Sequence, residues 1–591
     1  MKSQWGVLSR RLSIGGARPT AHHGWRCQSC RGGQTRRKPF STTAAVRDSD
    51  RDGDGKPYYV TTPIFYVNAA PHVGHLYSMV IADVLKRWKV LKGERSFLST
   101  GTDEHGMKVQ RAAELQDVQP TALCDANSEI FRDLARRADI SNDCFIRTTD
   151  PAHREAVEHF WARLREGGHI YETKHEGWYC VGDETFYSDK MVEKRVSPQT
   201  GKPFTASIET GNAVEWTEER NYHFRLTAFR EPMLRFYADN PNWVAPSSRF
   251  AEVIDWVSNH LEDLSVSRPA SRLSWGIPVP DDPSQTIYVW VDALINYITV
   301  TGYPGWQQGT GAWPADVHVV GKDILRFHAV YWPALLMAVD LALPRRILSH
   351  GHWLMERQKM SKSTGNVVNP FGAIDRWDTD VLRYFLVYHG SVANDANYDN
   401  GLILDLAKKG LQRGLGNLLN RIVGPKLWDV SYAVAKMTGD EDRPGLAFLR
   451  LPASVDAHKA RVEAITDKVQ AHMDELDPTG ALKEIMELIF ETNKFVQETS
   501  PWVAAGTGRK RETDLIVFYA AESLRVAGIL LQPFMPNKAN ELLDRLGVSR
   551  ETPRRSFAFA RLQADNAYGK SLIETGKGAW KSLFPPFKVS D

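Results

Sequence analysis

The spacing of apolar residues divides the chain into three stretches. From residue 58 the run Tyr58-Tyr59-Val60-Thr61-Thr62 is aromatic and β-branched, as in a buried strand. Leu76, Val80, Ile81, Val84, Leu85, Trp88 and Leu91 follow at helical spacing. A second strand is expected over 95–100 and part of a helix over 129–138. Strands alternating with helices predict a parallel sheet, whose ligands gather at the carboxyl ends of its strands. Over 171–256 the pattern breaks into short aromatic runs interrupted by Pro and Gly, such as Gly177-Trp178-Tyr179 and Asn221-Tyr222-His223-Phe224, as in a small inserted domain. The α/β pattern returns at 287–291 and 317–320. Beyond 401 the spacing is helical almost throughout, over 406–427, 461–476, 481–496 and 514–531, with a charged break at 438–443.

Composition narrows this picture. A chain of 591 residues with 42% hydrophobic and 25% charged residues is expected to fold as two to four soluble domains. No stretch approaches the roughly 18 consecutive apolar residues of a membrane span. The net charge of +3 is unevenly spread. Residues 1–47 hold ten Lys or Arg and no acid, and the remaining 64 basic and 71 acidic residues give −7. A nucleic-acid site on the body must therefore be a local basic surface rather than a global field. The leader is rich in Arg, Ser and Gly and lacks a secretory apolar core, which marks a mitochondrial or plastid transit peptide cleaved between residues 40 and 49. The alternative is a basic arm that touches RNA. Five cysteines, an odd number, suit a reducing compartment, and the one C-x-x-C pair, Cys27 and Cys30, falls in the leader.

Two elements carry chemistry. His72-Val73-Gly74-His75 joins the first strand to the first helix, where the helix dipole and free N–H groups attract phosphate. Gly74 would let a purine approach the backbone, and the imidazoles could donate to phosphate oxygens. Lys359-Met360-Ser361-Lys362-Ser363, before Thr364-Gly365-Asn366, places two lysines in a small Ser/Gly-rich loop suited to a departing pyrophosphate. Either element alone is a weak signal. Together, in this order and roughly 290 residues apart, they reinforce each other.

The pair resembles the signatures of class I aminoacyl-tRNA synthetases, and the surrounding residues resemble the methionyl-tRNA synthetase family. Thr62-Pro63-Ile64-Phe65-Tyr66-Val67-Asn68, Gly101-Thr102-Asp103-Glu104-His105-Gly106, Tyr288-Val289-Trp290-Val291-Asp292-Ala293, Gly321-Lys322-Asp323-Ile324, Phe327-His328 and Pro501-Trp502 all fit. The likeness runs from residue 58 to the C-terminus. It implies an α/β fold: a Rossmann-like catalytic domain over 57–170 and 257–400, a connective insertion over 171–256, and a helical anticodon-binding bundle over 401–591.

The resemblance also assigns sites. Ile64, Tyr66, Trp290, Leu294, Tyr297 and His328 match the walls of a methionine pocket, and Asp103 the acid that holds the substrate ammonium. A thioether offers almost no hydrogen bonding, so selection by shape and polarisable aromatic contact is chemically sensible. Leu294 departs from the proline of some members. For ATP the match implies His72, Gly74, His75, Gly321, Asp323, Lys359 and Lys362, with the two histidines and two lysines catalytic. Asn417 and Arg421, four apart on one helix face, join Pro501 and Trp502 in matching the positions that receive a CAU anticodon.

Further expectations follow. ATP is used with Mg²⁺. Many relatives carry zinc knuckles in the insertion, but here the places read Cys180-Val181-Gly182-Asp183 and Val196-Ser197-Pro198-Gln199-Thr200-Gly201. One thiol and one carboxylate do not make a tetrahedral thiolate site, so a zinc-free insertion packed by Trp178, Tyr179, Phe186 and Trp216 is expected. No appended module is expected after Phe587, which suits a monomer. The expected partners are L-methionine, ATP and tRNA(Met), without a membrane, in the mitochondrial matrix. A cysteine-specific synthetase would want a zinc–thiolate site, and valine, isoleucine and leucine enzymes carry a larger editing insertion. A nucleotidyltransferase would lack the bundle. An inactive RNA-binding relative would not retain His72, His75, Asp103, Lys359 and Lys362.

Overall fold

The computed structural model describes residues 55–586, apart from 182, 184, 198–200, 307–308, 356–357, 361–366, 439–452, 552 and 574–581. The expected targeting segment 1–47, Cys27, Cys30 and Lys362 lie outside the described residues; of Lys359 only the backbone is described.

Six parallel strands form the central sheet: β1 Tyr58–Tyr66, β2 Ser96–Asp103, β3 Cys144–Arg147, β4 Val244–Ala245, β5 Val317–Gly321 and β6 Ile347–His350. They lie in the order 3-2-1-5-6-4. The order reverses between β1 and β5, and such a switch point leaves a crevice at the carboxyl ends of the strands. β1 is covered on both faces, which is why its sequence is continuously apolar and β-branched. Gly101 in β2 lets the sheet close on β3: a Cβ there would lie 2.1 Å from the Ile146 carbonyl oxygen.

Helix α1, Val73–Leu91, packs on β1 and β2 and buries the apolar stripe read from the sequence. It begins three residues before that stripe because His72 caps it. Two other expectations change. The apolar run 287–291 is not one strand: strand Asp282–Ile287 stops, and helix Val289–Thr299 begins at once. Val291, Leu294, Ile295 and Ile298 supply a buried helical face that outweighs the β-branched character of the run. The helix expected over 406–427 comprises Asn400–Leu406, a wider π-helical stretch Ala407–Gly416, and Asn417–Val423.

The insertion is built on an antiparallel pair, Ile170–Cys180 with Glu215–Phe224, flanked by Thr185–Tyr187. Tyr179 packs on Phe186 at 4.9 Å, whereas Trp178 meets Trp216 edge-on at the surface. Residues 244–245, inside the expected insertion, form β4 of the central sheet. A two-residue strand leaves too short a pattern to be read in advance.

Helices Ala453–Asp474, Pro478–Thr499 and Lys510–Leu531 pack together as a C-terminal bundle. Its apolar interior is continuous with that of α1 and β1. No helix among the described residues is long and apolar enough to cross a membrane.

Candidate functional site

The crevice at the switch point is a cavity of about 250 Å³. Its walls include Ile64, Tyr66, Asp103, Trp290, Leu294, Tyr297 and His328 from the expected amino-acid pocket, and His72, Gly74, His75, Gly321 and Asp323 from the expected nucleotide site. One space thus joins both sets. Ile64 and Tyr66 end β1, Asp103 ends β2 opposite Tyr66, and Gly321 ends β5. Trp290, Leu294 and Tyr297 recur at helical spacing on Val289–Thr299, so one helix face carries all three.

The histidines act first on the chain itself. His72 Nδ1 accepts from the Gly74 N–H at 3.0 Å, and His75 Nδ1 accepts from the His72 N–H at 3.1 Å. This reciprocal cap starts α1 and stacks the two rings with centroids 3.7 Å apart. An accepting Nδ1 puts the ring hydrogen on Nε2, which makes that atom a donor. Gly74 is required here by its neighbour: a Cβ would lie 2.8 Å from the His72 ring. The glycine thus leaves room for the capping ring.

The apolar end of the cavity is stiff. Trp290 stacks on Phe327 at 3.7 Å and meets Tyr66 edge-on at 6.0 Å. His328 Nδ1 donates to the Ile324 carbonyl at 2.9 Å, so Nε2 accepts from the Tyr297 hydroxyl at 2.6 Å. Burial holds the His328 imidazole down at about 4 and pushes the Tyr297 hydroxyl up. With both nitrogens engaged, His328 contributes shape and polarisability to the wall.

Several neighbours were not singled out in the sequence. His350, at the end of β6, meets Ser78 Oγ of α1 at 2.8 Å, and His352 Nε2 lies 3.0 Å from Asp323 Oδ1. Burial keeps the His350 imidazole at about 4. Asp292 sits between His105 Nδ1 at 2.6 Å and His153 Nε2 at 2.7 Å. Burial alone would raise its carboxyl, but the two imidazoles outweigh burial and hold it at about 2. Arg147 grips Glu104 through Nε at 2.7 Å and through a second nitrogen at 2.9 Å, which fixes the turn after Asp103. The H-x-H at 350–352 was the one signal that could have flagged part of this.

The lysine loop is reached by backbone only. Strand Gln358–Lys359 pairs with Trp353–Met355, and the next residue, Met360, is buried in the cavity wall.

A separate surface gathers the remaining expected residues, none of which lines the cavity. Ser500, with φ of 44°, breaks the chain between helices Pro478–Thr499 and Pro501–Gly506. Pro501 is buried and Trp502 stands out, 36% exposed. The Arg421 guanidinium lies 5.2 Å from the centre of its ring. Asn417 is exposed one turn away on the same helix.

In the insertion, the Asp183 carboxylate accepts from Thr210 Oγ1 at 2.5 Å, Asn212 Nδ2 at 2.7 Å and the Tyr187 hydroxyl at 3.0 Å. Burial would raise this carboxyl, but these donors and the Cys180 thiol hold it below the usual range. Among the described residues, no group of three or more His, Cys, Asp or Glu side chains is placed to hold a metal.

Comparison with known proteins agrees with this geometry. Residues 58–423 match the family described as tRNA synthetases class I (M), and residues 453–568 the anticodon binding domain of methionyl tRNA ligase. A probable mitochondrial methionine–tRNA ligase of Neurospora crassa is 53% identical over 581 residues, 97% of this chain and 92% of that one. The human mitochondrial methionine–tRNA ligase is 44% identical over 83% of this chain and 84% of its own. The structure of Mycobacterium tuberculosis methionyl-tRNA synthetase in complex with methionyl-adenylate superposes with a TM-score of 0.78 at 36% identity, covering 90% of this chain and all of that one. The chain belongs to the methionine–tRNA ligase family of class I aminoacyl-tRNA synthetases.

Proposed function

We propose that this methionine–tRNA ligase activates L-methionine with ATP in the switch-point cavity and passes the aminoacyl group to tRNA(Met), read through its CAU anticodon, in the mitochondrial matrix. The observation that carries the reading is the single cavity of about 250 Å³ that joins the apolar pocket to the capped start of α1.

The methionine carboxylate attacks the α-phosphorus of ATP, and pyrophosphate leaves. The nucleophile is already ionised, so no general base is needed; positioning and charge stabilisation carry the step. Asp103 takes the substrate ammonium, while Trp290, Leu294, Tyr297 and the His328 ring close around the thioether. His72 and His75 present Nε2 toward the phosphates. Asp323 accepts from the ribose hydroxyls beside Gly321. Lys359 and Lys362 neutralise the departing pyrophosphate. Mg²⁺ would enter with the nucleotide and screen its phosphate charge. In the second step the 2′-hydroxyl of the terminal adenosine attacks the adenylate carbonyl and releases AMP.

We further infer a zinc-free insertion, since Asp183 is committed to neutral donors and its nearby thiol, Cys180, is buried. Residues 57–170 and 257–400, together with strand β4 at 244–245, serve as the catalytic domain, the preceding part of 171–256 as the insertion, and 401–591 as the anticodon-binding part, in a monomer. The basic leader 1–47 and the mitochondrial names of the relatives support the location. ATP–pyrophosphate exchange measured with each of the twenty amino acids tests the reading. Exchange with methionine alone is expected; exchange driven better by another amino acid would overturn it.

A further inference from the structure

A second cation–aromatic cluster lies on a helix that, like the helices of Arg421 and Trp502, packs against Lys510–Leu531. Tyr432, on helix Val430–Thr438, is 44% exposed. Two ammonium groups approach its ring: Lys510 Nζ lies 4.5 Å from the ring centre and Lys436 Nζ 5.6 Å. Lys510 begins helix Lys510–Leu531, which packs against both Asn417–Val423 and Val430–Thr438. The two clusters therefore bridge the same two lengths of chain: 421 to 502 in one, 432 to 510 in the other.

Charge sets this cluster apart. The body of the chain is net acidic, so a paired-lysine surface is a local exception. Asp514 lies beneath both lysines; burial raises its carboxyl and the two ammonium groups oppose that. Asp429 caps the Tyr432 helix through the Ser431 and Tyr432 N–H groups, with Lys570 as a charged neighbour. Among the described residues, Asp514 is thus held inward and Asp429 in the cap, while the ring and Lys510 face outward.

An exposed aromatic face flanked by ammonium groups suits a nucleobase for the ring and phosphates for the lysines. From this we infer that Tyr432, Lys436 and Lys510 form a second tRNA contact, holding an unpaired base and backbone beside the anticodon without reading base identity. It rests on the anticodon role of Arg421 and Trp502. A ring face stacks on any base, and the two ammonium groups are assigned to phosphates, so the contribution is independent of the anticodon bases.

The test uses the full chain without its leader and measures tRNA affinity at several salt concentrations, with Tyr432→Ala, Tyr432→Phe and Lys510→Gln beside Trp502→Ala. Tyr432→Ala should weaken binding about 5- to 100-fold, and equally for tRNA(Met) and for the same tRNA with altered anticodon bases. Tyr432→Phe, which keeps the stacking face, should restore affinity. Lys510→Gln should lower the slope of log affinity against log salt by about 1. Methionine-dependent exchange, in which tRNA takes no part, monitors the fold of each variant. Unchanged affinity in Tyr432→Ala, or a loss matched by lost exchange, would overturn the inference. A loss in Tyr432→Ala with none in Trp502→Ala would keep this contact and remove the anticodon role of Trp502 instead.

Discussion

Arg383 and Asp83, 300 residues apart in the chain, form an ion pair at 2.6 Å with both side chains shut off from water. Asp83 belongs to α1, the helix that His72 caps. The other Arg383 donors reach the carbonyls of Ala138, Pro533 and Phe534 at 3.2, 2.9 and 3.0 Å. One guanidinium therefore ties the helix of the nucleotide site to the end of the bundle helix Lys510–Leu531. Asp83 keeps Arg87 Nε at 2.8 Å and the Ser141 donors, so its charge is not stranded, but losing Arg383 leaves buried carbonyls without their donor at about 1–3 kcal/mol. Arg383→Leu should lose that much stability in urea unfolding; a loss below about 1 kcal/mol would show the hub to be dispensable.

Acid should destabilise the fold already above the usual carboxylate range. Burial holds His328, His350 and His458 at about 4, below the usual 6.5. Between those values the unfolded chain binds more protons, so stability rises with pH and is lost as pH falls through 6.5. At pH 5 each imidazole costs up to about 2 kcal/mol. Asp380, which burial raises to about 6, runs the other way, but one carboxyl cannot offset three imidazoles. Melting temperature should fall steadily from pH 7 to 5, and a flat profile would contradict the assignment of these rings as buried and neutral.

Much of the cavity was legible through the family resemblance, and the structure sets several of those residues at the ends of β1, β2 and β5, where a parallel sheet exposes them. Trp290, Leu294 and Tyr297 were legible as a set, yet the run before them resembled a strand and became a helix. The Arg383–Asp83 pair was not legible. A charge within a helix pattern reads as solvated until a partner from distant sequence is placed beside it. Asp292 escaped for the same reason, since its two histidines come from separate segments. β4, at two residues, carries no period at all.

The lysine loop has a kinetic signature. Lys362→Ala should slow adenylate formation by about 10²-fold or more, because a contact made to developing charge is removed. Methionine binding should change little. Pre-steady-state exchange separates the two, and equal losses in binding and rate would show that the loop only holds substrate.

Trp502→Ala should weaken tRNA charging by about 10- to 100-fold through lost stacking. Arg421→Ala should lose a comparable amount, since its guanidinium stands over that ring, and should blur discrimination among anticodons. Methionine-dependent exchange on the same proteins separates the two halves. Exchange lost together with charging in a folded variant would mean that the bundle acts on the active site directly.

Metal analysis of purified protein should find well under one equivalent of zinc. A stoichiometric ion bound through Cys180 would contradict the role given to Asp183.

The central claim is that methionine and ATP react in the cavity between β1 and β5, with Asp103 holding the ammonium group. The most direct measurement is the formation of enzyme-bound methionyl-adenylate, without tRNA, by the unaltered chain and by Asp103→Asn. A charge-assisted hydrogen bond contributes about 1.5–3 kcal/mol. The variant should therefore need roughly 10- to 100-fold more methionine to form the adenylate, with its melting temperature preserved. Equal adenylate formation by both proteins at limiting methionine would contradict the account.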